Sequence, residues 1–268
     1  MRAILLASTF RRHLFVANTV AAGCELAGVW REEKTFRPER YAHDAEDEAV
    51  IQRHFATRDE SEARYFAADA SLRVAPGTIR RTVASGGCSD PAEVSLMAAV
   101  RPDVVLVFGT GILREPVLSA FRGRILNSHL GLSPYYRGAG TNFWPLVNQE
   151  PEYVGATIHY LDAGIDTGPI LSHVRPQIER GDGPHDLGNK TIVAAASALL
   201  QAAAAHVSGV ARAVPQWSGG RLYQRKDFNA AAVGTLYRNF ETGMIGEYLQ
   251  ARASRDAALR LIELDRVA

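Results

Sequence analysis

An α/β fold follows from three observations on this chain of 268 residues: a mostly parallel sheet with helices on both faces, plus a small helical C-terminal extension. Residues 3–8, 11–22 and 26–30 read in turn as strand, helix and strand, the unit that sets its two strands parallel. Val104–Phe108 is an almost wholly apolar run of strand length, as expected of a central strand buried on both faces. Residues 186–206 are alanine-rich and helical.

Each element has its own signal. In the first helix Leu14, Ala17 and Ala21 recur at helical spacing, and Gly23 is placed to end it. Residues 31–73 are dense in mixed charge and poor in aliphatics. Val50, Ile51 and Phe55 are helically spaced there, and Asp59 with Glu62 forms a helix start. This stretch reads as one or two exposed helices in a solvated connection, with a substrate-facing flap as the alternative. Asp90-Pro91-Ala92-Glu93 combines a cap, a first-turn proline and an acid at the third position, and its helix ends near Val100. A short helix over residues 115–121 precedes a strand opening at Ile125. Residues 154–161 alternate as a half-buried strand. Residues 208–225 read as a loop. Residues 232–252 read as one amphipathic helix, with Leu236, Phe240, Ile245 and Leu249 on its apolar side. The chain divides into a domain over 1–207 and an extension over 208–268 packed on it.

Composition narrows the function classes. The chain is 47% hydrophobic and 22% charged, with formal net charge +1, so no global field favours nucleic acid or an anionic membrane. Cys24 and Cys88 stand far apart without a Cys-x-x-Cys, which argues against a disulfide framework and a structural zinc; no metal is expected. The opening apolar run is too short for a signal peptide, and no apolar segment approaches the roughly 20 residues of a membrane span. The cytoplasm is the default expectation. The sheet is Rossmann-like in layout, yet no Gly-x-Gly-x-x-Gly follows the first strand and no Walker sequence occurs. Gly109-Thr110-Gly111 runs into Ile112-Leu113-Arg114, which breaks that fingerprint.

The chemistry concentrates between Ile125 and Leu171. Asn127 and His129, at i and i+2 on an extended backbone, point to one face. Asp166 sits in the glycine-punctuated loop Gly164-Ile165-Asp166-Thr167-Gly168-Pro169. Residues 108–113 and 127–129 lie at carboxyl ends of parallel strands, where this architecture forms crevices.

Asn127-x-His129, Leu132-Ser133-Pro134, Arg137-Gly138 and Asp166-Thr167-Gly168 together resemble the formyltransferase family that uses 10-formyltetrahydrofolate. The resemblance is close over residues 100–171 and loose over 1–200. One departure is that the family's Ser-Leu-Leu-Pro reads Gly131-Leu132-Ser133-Pro134 here. The resemblance implies acyl transfer. Asn127 would donate to the developing oxyanion, His129 would charge the oxyanion site, and Asp166 would relay the proton. Asp162 is the competing carboxylate, and its place at a strand end suits a turn. The resemblance also implies that the pterin of 10-formyltetrahydrofolate sits among Gly111, Ile112 and Leu113 and the loop Leu161, Asp162, Ala163 and Gly164. Ser8 and Thr9 match where the family contacts its acceptor, and Arg137 is suited to a carboxylate or phosphate. Tyr135, Tyr136 and Trp144 line the acceptor side or pack in the core. The other seven histidines, His159 among them, show no ligand spacing and receive no role. The expected partner is a small-molecule amine, such as a nucleotide-linked amino sugar, with no nucleic acid or membrane. Hydrolysis of 10-formyltetrahydrofolate and folate binding without catalysis are the alternatives. The final helix is a candidate face for a homodimer.

Overall fold

A computed structural model describes residues 1–34 and 37–264; positions 35 and 36 of the charged connection and 265–268 of the extension lie outside the described residues. A seven-stranded sheet organises the chain, in the order β3-β2-β1-β4-β5-β7-β8. Its strands are β1 (Arg2–Ser8), β2 (Glu25–Glu32), β3 (Ile79–Val83), β4 (Val104–Phe108), β5 (Ile125–His129), β7 (Ala156–Tyr160) and β8 (Ile170–Val174). The first five run parallel. β7 is antiparallel to β5, and β8 is antiparallel to β7. The chain builds outward from β1 to one side and from β4 to the other. Ala7 pairs with Phe108, so the chain leaves β1 after Ser8 and β4 at Gly109 next to each other at this switch point.

The pleat of β1 sorts the core. Ala3, Leu5 and Ala7 pack with α1 (Arg11–Gly23) and α6 (Pro184–Val207), while Ile4 and Leu6 pack with α3 (Pro91–Ala99) and α4 (Val117–Ala120). Helices therefore cover both faces, as the sequence predicts. By length and composition α6 could cross a membrane, contrary to the expectation that no segment reaches that size. Half of its apolar window is buried, and Ala195, Ala196, Leu199, Ala202 and Ala203 lie fully inside the protein. Small alanines let this helix approach the sheet closely.

Several expectations are corrected. The connection holds a 21-residue helix, α2 (Ala45–Tyr65), capped by Asp44, which accepts from Asp47 N at 2.8 Å. Asp59 falls inside that helix and starts nothing. Nor is α2 wholly exposed: Ile51, His54, Ser61 and Glu62 are buried, and Glu62 pairs with Arg12 of α1. β7 is buried at four of its five positions rather than alternating, because β5 and β8 flank it inside the sheet. The single final helix is two, α7 (Ala230–Glu241) and α8 (Met244–Ala257), divided at Gly243, whose φ of 95° suits glycine. Leu236, Phe240, Ile245 and Leu249 nonetheless join one cluster with Leu146 of α5 (Trp144–Val147).

The 208–225 stretch is not only a loop. Its Arg221–Tyr223 forms β9, which pairs parallel with β6 (Tyr136–Gly138) immediately after the Leu-Ser-Pro turn. Val214 bridges Ile170 of β8, and Ile262 exchanges hydrogen bonds with His173. The extension is laced into the edge of the sheet that carries Asn127 and His129.

Candidate active site

β5 places Asn127 and His129 past the apolar core, on the side that Ile125 takes. The antiparallel register of β7 sets His159 opposite Asn127 and Thr157 opposite His129. Asn127 Nδ2 stands 3.1 Å from His159 Nε2. The other imidazole nitrogen, Nδ1, lies 2.8 Å from the Tyr160 carbonyl and must carry the proton to donate there. Nε2 is therefore an acceptor, and Asn127 donates to it. Burial, and then the neighbouring His129, hold the His159 pKa below the usual histidine range, which keeps this tautomer neutral.

Asp166 arrives on the loop between β7 and β8. Its Oδ1 is 3.3 Å from His129 Nδ1 and 3.9 Å from His159 Nε2. Its φ is +52°, a left-handed conformation that Asp tolerates better than most residues. The loop is braced from within by Asp162, whose Oδ1 accepts from Gly164 N at 3.0 Å and from Thr167 Oγ1 at 2.8 Å. The two carboxylates are thus told apart by geometry: Asp162 shapes the turn and Asp166 faces the histidines.

With Nδ1 directed at Asp166, the opposite nitrogen of His129, Nε2, is buried and has no hydrogen-bond partner. Such an atom is uncommon in a folded protein and marks a place for a ligand atom or a water. A Cβ at Gly131 would sit 2.8 Å from it, so the glycine that stands where the family has serine keeps a side chain from crowding this nitrogen.

The predicted cofactor residues divide. Ile112 is 66% exposed and Ile165, which was not predicted, is 56% exposed. Leu113 is packed into the core with Val117 and Phe121, so its side chain is unavailable to a pterin. Gly111 N donates to Glu32 Oε2 at 3.0 Å, and Gly111 O accepts from Thr110 Oγ1 at 2.9 Å. Leu161 N is bonded to Ile125 O, and Gly164 N to Asp162, which leaves carbonyls and Ala163 to face solvent.

The acceptor side divides too. Ser8 is fully buried and donates to the Glu32 carbonyl at 3.1 Å, so a contact from this strand end falls to the part-exposed Thr9. Arg137 lies on β6, paired with Leu222 of β9. Its Nε is buried without a partner, and among the described residues no carboxylate pairs with its guanidinium. Tyr136 is buried and bonded to Glu150 and Asn148, and Trp144 is buried and stacked on Tyr223 with centroids 4.3 Å apart. Both pack rather than line a crevice. Tyr135 reaches the extension at Arg260 N, 2.8 Å away.

Besides Ile165, three residues escaped the sequence reading. His159 is visible only through the β5–β7 register. Gln216 donates from the extension to the carbonyls of Asp166 and Gly168. Glu32, buried at the end of β2, accepts from both Gly86 N and Gly111 N and ties two crevice loops together. An acid just after the apolar run Val29-Trp30 was the available signal for Glu32; nothing local marks the other two. Among the described residues no group of three or more His, Cys, Asp or Glu side chains is set to hold a metal ion.

Comparison with known proteins gives the family of the chain. The profile of a family described as formyl transferase matches residues 38–203. A methionyl-tRNA formyltransferase from Synechococcus elongatus is 31% identical over 188 residues, 65% of this chain and 57% of that protein. The chain thus matches little more than half the length of this curated relative. The crystal structure of glycinamide ribonucleotide transformylase 1 from Symbiobacterium toebii is similar with a TM-score of 0.54 at 20% identity, covering 81% of this chain and 94% of that one. A sugar N-formyltransferase from a Shewanella species gives a TM-score of 0.54 at 16% identity, covering 85% and 78%. These structures share the fold. The family profile spans more than half of the chain and takes in Asn127, His129 and Asp166, and by that match this chain belongs to the formyl transferase family.

Proposed function

We propose that the chain is an N-formyltransferase that moves the formyl group of 10-formyltetrahydrofolate to the amine of a small molecule. The observation that carries this reading is the convergence of Asn127, His129 and Asp166 around the unpartnered Nε2 of His129. The acceptor amine attacks the formyl carbon, a C–N bond forms, and the carbonyl oxygen becomes an oxyanion. Asn127 gives one amide N–H to His159 and has a second for that oxygen. His129, as imidazolium, keeps Nδ1–H on Asp166 and offers Nε2–H to the same oxygen. The ammonium proton leaves through Asp166 or a water beside it, the bond to the folate nitrogen breaks, and that nitrogen takes up a proton. The exposed side chains of Ile112 and Ile165 supply the apolar cover that a pterin needs.

A small acceptor is supported by the formal net charge of +1, which offers no field for tRNA. Arg137, without a carboxylate partner, supports an acceptor that bears a phosphate or carboxylate, as a nucleotide-linked amino sugar does. The test is incubation with 10-formyltetrahydrofolate and a panel of amino sugar nucleotides, amino acids and glycinamide ribonucleotide. The expected result is amine-dependent release of tetrahydrofolate with a formylated product by mass spectrometry. Release that ignores the amine would make the protein a hydrolase, and no release would make it a binder; either overturns the proposal.

A further inference from the structure

We infer that Gln216, a residue of the C-terminal extension, is the positioning residue for Asp166 and holds its carboxylate against His129. The kinetic consequence rests on the formyl-transfer reading of the site, while the placement rests on geometry alone. Gln216 Nε2 is 2.7 Å from the Asp166 carbonyl and 2.9 Å from the Gly168 carbonyl. An amide nitrogen has two N–H groups, and both are used. The orientation of the amide follows from its partners. With Oε1 and Nε2 exchanged, an oxygen would face two carbonyl oxygens.

The backbone delivers this side chain in register. Val214 and Ile170 exchange hydrogen bonds of 2.8 Å in each direction as an antiparallel bridge. Two residues on from Val214 and two back from Ile170, that antiparallel register sets Gln216 opposite Gly168. Gly168 lies close against the neighbouring strand, with no room for a side chain: a Cβ there would sit 1.7 Å from the Tyr160 carbonyl. Asp162, Ala163, Gly164, Ile165 and Thr167 are exposed, so no apolar packing pins the loop around Asp166. Asp166 meanwhile holds a left-handed φ of +52°, a conformation that must be held by its surroundings. Asp162 braces the turn on its near side; the carbonyls of residues 166 and 168 are fastened by one side chain from outside the loop. Releasing them lets the carboxylate move away from His129. A displacement of about 1 Å in a catalytic group is enough to lower turnover on the order of 10²-fold.

The test is a double-mutant cycle on the full chain. Gln216→Leu removes both donors at similar size, and Gln216→Glu keeps the shape but turns an oxygen toward the carbonyls. Each is made alone and with Asp166→Asn. With the amine that supports turnover of the wild type, Gln216→Leu is expected to lower kcat on the order of 10²-fold and leave KM for 10-formyltetrahydrofolate nearly unchanged. In the Asp166→Asn background it is expected to cost nothing further. The same loss in both backgrounds, or none in either, overturns the inference. Amide hydrogen exchange supplies a readout that needs no substrate. Gln216→Leu is expected to speed exchange of the hydrogen-bonded amides on either side of Asp166, those of Gly164 and Ile170, while β1 and β4 keep their protection. Unchanged exchange in the loop, or loss of protection throughout the sheet, also overturns it. If the wild type releases no tetrahydrofolate with any amine, the proposed function fails, and the exchange experiment alone decides the role of Gln216.

Discussion

Asn127 donates to Nε2 of His159 across 3.1 Å, so the amide proposed to meet the oxyanion is itself aimed by a second histidine. His159 in turn is fixed by its bond to the Tyr160 carbonyl at 2.8 Å and by near-complete burial. His159→Phe removes the acceptor and lets the Asn127 amide rotate. The expected result is a fall in kcat of roughly 10-fold, equivalent to about 1.4 kcal/mol of transition-state stabilisation, with tetrahydrofolate affinity retained. Steady-state kinetics beside a binding titration separates the two effects.

The residues proposed to meet the reacting formyl group are expected to carry larger losses. Asn127→Ala and His129→Gln are each expected to lower kcat by ~10²–10³. Asp166→Asn is the clean test of the carboxylate, since Asn tolerates the left-handed backbone that Asp166 adopts, whereas Ala adds strain. A kcat for Asp166→Asn within twofold of wild type removes the carboxylate from the mechanism.

Gly168→Ala tests the geometry of the loop rather than its chemistry. The added methyl group meets the Tyr160 carbonyl and comes within 3.3 Å of His159 Nδ1. The loop must shift to admit it, and the 3.3 Å contact between Asp166 and His129 shifts with it. The expectation is loss of turnover on the order of 10²-fold together with a lower Tm. Retention of both would show that the loop accommodates a side chain there.

Three histidines, His54 and His173 buried and His185 partly so, set an acid limit on stability. Burial pushes His54 down to about 3, and His173 and His185 to about 4. In the unfolded chain each titrates near ~6.5, so between the two values the unfolded state binds more protons. The stabilisation is complete above about pH 6.5 and is lost as pH falls toward 4. His173 Nδ1 accepts from Ile262 N at 3.0 Å and its Nε2 donates to the Ser133 carbonyl at 2.8 Å, so its protonation at Nδ1 breaks the bond from Ile262 and loosens that contact with the extension. A melting temperature recorded from pH 8 to pH 4 is expected to fall below about 6.5, less steeply in His173→Gln. A flat profile contradicts the burial of these rings.

The exposed isoleucines test where the pterin lies. Ile112→Asp and Ile165→Asp each remove an apolar cover worth about 1.5–3 kcal/mol when fully buried. Each is expected to raise the tetrahydrofolate Kd by about tenfold or more without changing Tm. Equal affinity in both variants moves the pterin off these loops.

How much of this was legible before folding differs by element. The strand-helix-strand opening, Val104–Phe108 and the Asp90 cap carry their signals within a few residues, and each stands where the sequence predicts. Asn127 and His129 share a strand two residues apart, so their common face follows from the pleat alone. Asp166 could be singled out by its motif, but its 3.3 Å approach to His129 depends on a turn, a left-handed residue and a clamp from the extension.

The sequence by itself determined what is local: strand and helix periods, caps, the glycine turns and the chemical types at the site. The tertiary structure alone decided that β7 runs antiparallel, which brings His159 to Asn127. It alone buried Ser8 and Leu113 and left Ile112 and Ile165 exposed. It alone joined Gln216 and β9 of the extension to loops far earlier in the chain. The physical reason is one of range. A pleat or a cap is set by neighbours within a few residues, whereas register across a sheet and the docking of a tail are set by the total surface they bury.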